Sequence, residues 1–343
     1  MNIIDKIHDV KNGIWNINKN VIINKDRSLT NLNTKKIFKY SEDVKRCFYS
    51  NNYLFLVRDT DVSILDENFY LLNKINKNGA IGISIFDKAN YAIWFENEED
   101  DDDECFDLYS NAELIGKGNF FYGKFLDENY CYRFRKRKDL QNFRLTNLLD
   151  TETYFEFNCE DEEEISAEII KYKDKLIFYT REKEKELYDS KFWINVLDIK
   201  TGKIIYKISV QQYGACFDFE IGHFVSIQEI NQNNKIIKRY EIVDVNNGKV
   251  ETDNFDFSQD MFAVGTAVQY INNNKLYFVD NVYSYIEQKR KSPKIGCFDV
   301  ITKQIIFFEE LKETEGFSIN QIINNDNMIY VRTDSNELFV LEI

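Results

Sequence analysis

Two runs of carboxylates dominate the chemistry open to this chain. Residues 96–104 read ENEEDDDDE, eight acids in nine positions, and include Glu98, Glu99, Asp100, Asp101, Asp102, Asp103 and Glu104. Residues 160–164 add five more, among them Glu162, Glu163 and Glu164. Between the two lies a basic run, Arg133-Phe-Arg-Lys-Arg-Lys138. Contiguous carboxylates are suited to drawing in a cationic partner and fixing its register. They are poorly suited to coordination: a calcium loop needs spaced oxygens, a glycine at its sharp turn and a terminal glutamate, and ENEEDDDDE has none of that spacing. A pair for glycoside hydrolysis can be drawn from 58 acidic residues at will, so none is singled out. The plain alternative for any single run is a solvated loop with no partner.

Other catalytic chemistry finds few residues to work with. The histidines are His8 and His223, and neither stands in a local signature for a Ser-His-Asp or Cys-His arrangement. Cys47, Cys105, Cys131, Cys159, Cys216 and Cys297 are far apart, with no C-x-x-C pair and no zinc-ligand spacing. No phosphate-cradling glycine motif occurs. No catalytic residue, cofactor or metal is therefore expected.

The formal net charge of −14 makes nucleic acid a poor partner and a basic protein a better one. The opening MNIIDKIHDVKNG lacks the order of a secretory signal, and no stretch nears 18 uncharged apolar residues. These features predict a cytoplasmic protein with reduced cysteines, off the membrane and monomeric on its own.

What must position the acidic runs is a repeated β unit. The segment INVLDIKTGKIIYKI (194–208) reads as a strand ending in Leu-Asp, a short turn and a second strand with alternating apolar positions. Similar pieces occur at 63–75, 146–158, 240–252 and 296–308, with Asp66, Asp150, Asp198, Asp244 and Asp299 at the turn. Asn31, Ser110 and Glu342 hold the same place in weaker copies. Asp, Asn and Ser suit it because their side chains cap the next backbone N–H groups. Upstream of each lies a hairpin pattern, as in RCFYSNNYLFLVRD (46–59) and AVQYINNNKLYFVD (267–280).

Four antiparallel strands every 35 to 55 residues predict an all-β chain. The fold expected is a β-propeller of eight four-stranded blades, with seven as the alternative, forming a single domain over 1–343. The last unit lacks a fourth strand, which residues 2–7 can supply, closing the ring. One proline and 13 glycines leave little material for flexible linkers.

The Leu197-Asp-Ile-Lys-Thr-Gly-Lys203 segment, repeated more weakly at 244–249, resembles the quinoprotein-type (PQQ-like) propeller repeat, in which an Asp-x-x-Thr-Gly-Lys turn joins the two outer strands. The resemblance implies architecture only. The tryptophan that follows the turn in that family is absent here, where Tyr206 or Phe307 stands, and so is the adjacent cysteine pair of its dehydrogenases.

In such a unit the loops between second and third strands share one face with the connections between units. The charged segments 96–104, 135–142, 181–191, 229–236 and 283–294 fall between second and third strands, and 160–164 in a connection. Function concentrates on long loops of a rigid scaffold. The reading is a non-catalytic protein-binding propeller, immunity- or antitoxin-like, holding a basic partner on its acidic face. The alternative is a carbohydrate-active or lactone-hydrolysing propeller with its site in the central channel.

Overall fold

The computed structural model describes the chain apart from residues 1, 9, 15–20, 25–26, 32–33, 51–52, 87–89, 97–103, 112, 121–122, 128, 135–139, 148–152, 167–168, 184, 186–189, 211–214, 233–234, 256–267, 282, 285–287 and 326. Among the described residues the chain is all-β, its one helical element being the 3-10 turn Lys312–Thr314.

Those strands form eight antiparallel sheets of four or five strands and one two-stranded ribbon, Tyr283–Ser284 with Lys289–Arg290. The sheets follow the chain in order: 10–39, 46–76, 80–120, 123–158, 163–210, 216–255, 269–310, and last 319–342 together with 2–7. Asn2–Ile7 pairs antiparallel with Leu338–Glu342, so the eighth sheet takes its fourth strand from the N-terminus.

The turn chemistry is local and repeated. Asp198 Oδ1 accepts from Thr201 N at 2.8 Å, Asp299 Oδ1 from Thr302 N at 2.8 Å, and Asp244 Oδ1 from Asn246 N at 2.8 Å. Asp66 caps Asn68 N and Tyr70 N, and Asn31 caps Thr34 N. Asp150 lies outside the described residues. The turn closes when Gly202 N and Gly248 N donate to the Asp198 and Asp244 carbonyls, and both glycines adopt positive φ (67° and 75°), which glycine takes without steric penalty. Lys303 holds the matching place after Asp299 at φ 59°.

The fourth strands do not alternate cleanly. In six sheets a register shift leaves one extra residue on the outer strand, at Ile4, Leu72, Ile115, Tyr154, Ile205 and Ile306. Each of the six is exposed. A bulge of this kind leaves one residue unpaired and adds twist to the strand locally.

The chain divides into two compact units, residues 1–30 with 211–343, and residues 31–210. In the second unit, consecutive sheets pack face to face. Phe55, Val57, Val62 and Ile64 meet Tyr91, Ile93 and Tyr109, while Phe143, Leu145 and Phe157 meet Leu176, Phe178 and Leu197. In the first unit, Leu276 and Phe278 pack with Val225 and Ile227, whereas Tyr277 and Val279 pack with Val331 and Phe339. The strand Lys275–Asp280 thus buries both faces, so its sequence, LYFV, is a continuous apolar run. Gly296 sits opposite Phe278, whose ring lies where a Cβ would be (2.1 Å).

The segment 229–236 is not a long loop. Strands His223–Gln232 and Lys235–Asp244 run through it in unbroken register from His223–Asp244 to Gln232–Lys235. Its charges belong to a long hairpin instead.

Candidate functional site

The two acidic runs prove to be different objects, although both lie in the 31–210 unit. The first caps a hairpin. Asn90–Glu96 pairs with Glu104–Ser110, and the register sets Glu96 opposite Glu104. Glu98, Glu99, Asp100, Asp101, Asp102 and Asp103 fall in the connection, outside the described residues. Like charges opposite one another weaken a strand pair, and a cationic partner relieves that repulsion.

The second run is tied to its own sheet. Cys159 N donates to Gln141 O and Ile165 N to Leu140 O, each at 2.7 Å, laying the run against the start of the neighbouring sheet's third strand. Glu163 is buried (6% exposed) and accepts from the Thr180 hydroxyl at 2.9 Å and from Lys207 Nζ at 2.6 Å. Asn195 donates to Thr180 Oγ1 at 2.8 Å, which extends the polar row across the sheet. Glu164 binds Arg181 through Nε (2.7 Å) and Nη2 (2.5 Å). Glu160 shares Lys207 at 2.6 Å. Burial opposes the Lys207 ammonium, but its hydrogen bonds to Glu160 and Glu163 prevail and raise its pKa above the ordinary lysine value. Asp161 and Glu162 alone of the five face solvent without an ion pair among the described residues.

Of the ten residues picked out from sequence, Glu163 and Glu164 engage Thr180, Lys207 and Arg181 of their own sheet, Glu162 is exposed, Glu104 begins a strand, and the remaining six lie outside the described residues. The basic run keeps Arg133 in a strand, its Nε donating to Thr146 Oγ1 at 3.3 Å, while residues 135–138 lie outside the described residues.

Sequence reasoning missed a buried ion cluster in the other unit. Lys238, 4% exposed, sits 2.8 Å from Glu229 Oε1 and 3.2 Å from Asp280 Oδ2, and Asp280 is wholly buried. Nothing in KIIKRYEIVD marks Lys238 as buried, because Asp280, one of its two carboxylate partners, comes from the next sheet.

The histidines and thiols have structural surroundings. His223 Nε2 lies 3.5 Å from Asp244, the turn-capping carboxylate, and His8 Nδ1 lies 3.1 Å from Glu337. Burial pushes the thiols of Cys47, Cys131, Cys159 and Cys216 up to about 12 and that of Cys297 to about 11. Thiols so shifted stay protonated near neutral pH and are poor nucleophiles. Among the described residues no helix is long and apolar enough to cross a membrane.

Repeated four-stranded antiparallel sheets packed face to face define a protein of the β-propeller class. The chain is similar to the β-propeller protein BamB from Moraxella catarrhalis, at 8% identity and a TM-score of 0.54, over 100% of this chain and 99% of that one. It is similar also to the computationally designed protein Ika8, at 12% identity and a TM-score of 0.52, over 98% and 97% of the two chains. A eukaryotic initiation factor matches over 89% of this chain and 75% of its own, at 11% identity and a TM-score of 0.50. At such identities the likeness shows fold alone. No family model and no curated protein matches the chain.

Proposed function

We propose that the chain is a single eight-bladed propeller of quinoprotein-type repeat, closed by its N-terminal strand, that binds a basic protein partner without catalysis. The pairing of Asn2–Ile7 with Leu338–Glu342 supports closure, and the near-complete overlap with BamB and Ika8 supports one domain. The Asp198 and Asp244 turns support the repeat type. The observation that carries the function is the hairpin tip, where Glu96 and Glu104 face each other and six more acids stand between them. A hairpin carrying that charge draws in a cationic protein and orients it. Inhibition of a basic toxic effector, as by an immunity protein, is the role that suits this surface best.

Pull-down from the native host followed by stopped-flow association across a salt series tests this. A partner of basic isoelectric point is expected. Replacing Asp100, Asp101, Asp102 and Asp103 with Ser should slow association about tenfold at low salt and flatten its salt dependence. Glu162→Ser should act in the same direction, whereas Lys200→Ser with Lys203→Ser, in a turn on the opposite face, should not. An acidic partner, or equal sensitivity of both faces, overturns the reading.

A further inference from the structure

We infer a second interaction surface of opposite character on the 31–210 unit, one that takes an acidic, extended peptide segment. It is built where the strand Ile37–Lys39 lies beside the turn leading into Leu71–Asn76. The two are joined by the Phe38 and Phe69 rings, 5.5 Å apart, and by Lys36, whose ammonium donates to Asn68 O and lies 4.1 Å from the Tyr70 ring centroid. Ile37 (62%), Tyr70 (65%), Leu71 (61%) and Leu72 (54%) are all exposed, a contiguous apolar set rather than a lone residue.

The backbone holds them outward. Phe69 adopts φ 67°, a conformation that bulky residues rarely take, and buries its ring. Asp66 fastens the turn by accepting from Asn68 N and Tyr70 N. The bulge at Leu72 then places Leu71 and Leu72 in succession on the surface instead of alternating.

Charge selects the occupant. In a chain of net charge −14, residues 27–41 and 68–86 contain no acid, and they contribute Lys35, Lys36, Lys39 and Lys74 around the apolar set. Against them stand Asp66, engaged in its cap, and Glu67, while Asp61 is shared between Lys74 and Arg58. Among these groups the four lysines and Arg58 outnumber the three carboxylates. Leu71–Asn76 is the last strand of its sheet, and among the described residues no strand pairs with its outer edge. Lys74 N, which faces that edge, is held at 2.8 Å by Asn73 Oδ1, an acceptor that an incoming carbonyl replaces like for like. An extended peptide meets both the edge and the lysines. An anionic membrane uses no backbone edge, and as a broad charged surface it feels the repulsion of the whole acidic chain.

The probe is an alternating Glu–Val octapeptide, labelled and titrated by fluorescence anisotropy, with an alternating Lys–Val octapeptide and phosphatidylserine vesicles as comparators. The Glu–Val peptide should bind and should protect amides of Leu72–Asn76 from hydrogen exchange. Leu71→Ser with Leu72→Ser, and separately Lys36→Glu, should each weaken it at least tenfold while circular dichroism stays unchanged. Replacing Asp100–Asp103 with Ser should leave its affinity intact. Absence of Glu–Val binding, equal affinity in the variants, protection elsewhere, or binding of vesicles in place of the peptide overturns the proposal.

Discussion

Lys207 Nζ lies 2.6 Å from Glu163 Oε1, although the two residues stand on strands at opposite ends of the pairing order of one sheet and 44 residues apart. Together with Thr180 and Asn195, the pair ties all four main strands of that sheet through a buried polar row. A carboxylate run that reads as a solvated loop is here partly a fastening.

Glu163→Ala should destabilise the protein by about 2 kcal/mol, since it takes the acceptor from the buried Thr180 hydroxyl and leaves Lys207 with Glu160 alone. Glu162→Ala, one residue away but exposed, should change stability by less than about 0.5 kcal/mol. Urea unfolding of the two variants separates the fastening from the surface within a single acidic run.

Stability should fall at alkaline pH through the same contact. The Lys207 pKa is raised in the folded state, so its contribution is complete below the ordinary value of 10.5 and disappears as pH climbs through the folded value. Lys207→Met should lower the melting temperature at neutral pH and flatten its alkaline decline. At the acid end Asp61 acts with the opposite sign. Burial alone would raise its pKa, but the Lys74 hydrogen bond and the Arg58 charge lower it, so its contribution is lost as pH falls below 3.8. A thermal-melt series across pH on Lys207→Met and Asp61→Asn resolves the two limbs.

Two glycine variants should differ for a geometric reason. Gly79 and Gly202 share positive φ (69° and 67°), but a Cβ at Gly79 meets nothing, whereas at Gly202 it would fall 2.6 Å from the Phe155 ring. Gly79→Ala should cost about 1 kcal/mol, the strain of the left-handed conformation alone. Gly202→Ala should cost at least about 2 kcal/mol, because the ring must also move. Denaturant midpoints measure the gap.

Deleting residues 1–8 should destabilise the unit formed by residues 1–30 and 211–343. It strips the pairing along Leu338–Glu342, the Lys6–Glu337 ion pair at 2.9 Å and the Lys6 contact with the Phe339 ring. Hydrogen exchange at Phe339, Val340 and Leu341 should accelerate and the melting temperature should fall. An unchanged melt would show that the N-terminal strand is dispensable.

The residue order by itself determined the repeating unit and its turns. Asp66, Asp198, Asp244 and Asp299 cap groups two to four residues ahead, and their apolar flanks form hairpins with adjacent segments. Contacts so short in sequence leave their pattern in the string. Only the tertiary structure decided which charges are free. Glu162 and Glu163 are adjacent and chemically alike, yet one faces water while the other meets Thr180 and Lys207. Lys238 looks like any strand lysine until Asp280 arrives beside it, 42 residues on. The bulges at Leu72 and Ile205 likewise turn apparent alternation into exposed apolar pairs. The solvation of a side chain is set by segments that folding brings to it from far along the chain, and that distance is why composition and spacing do not encode it.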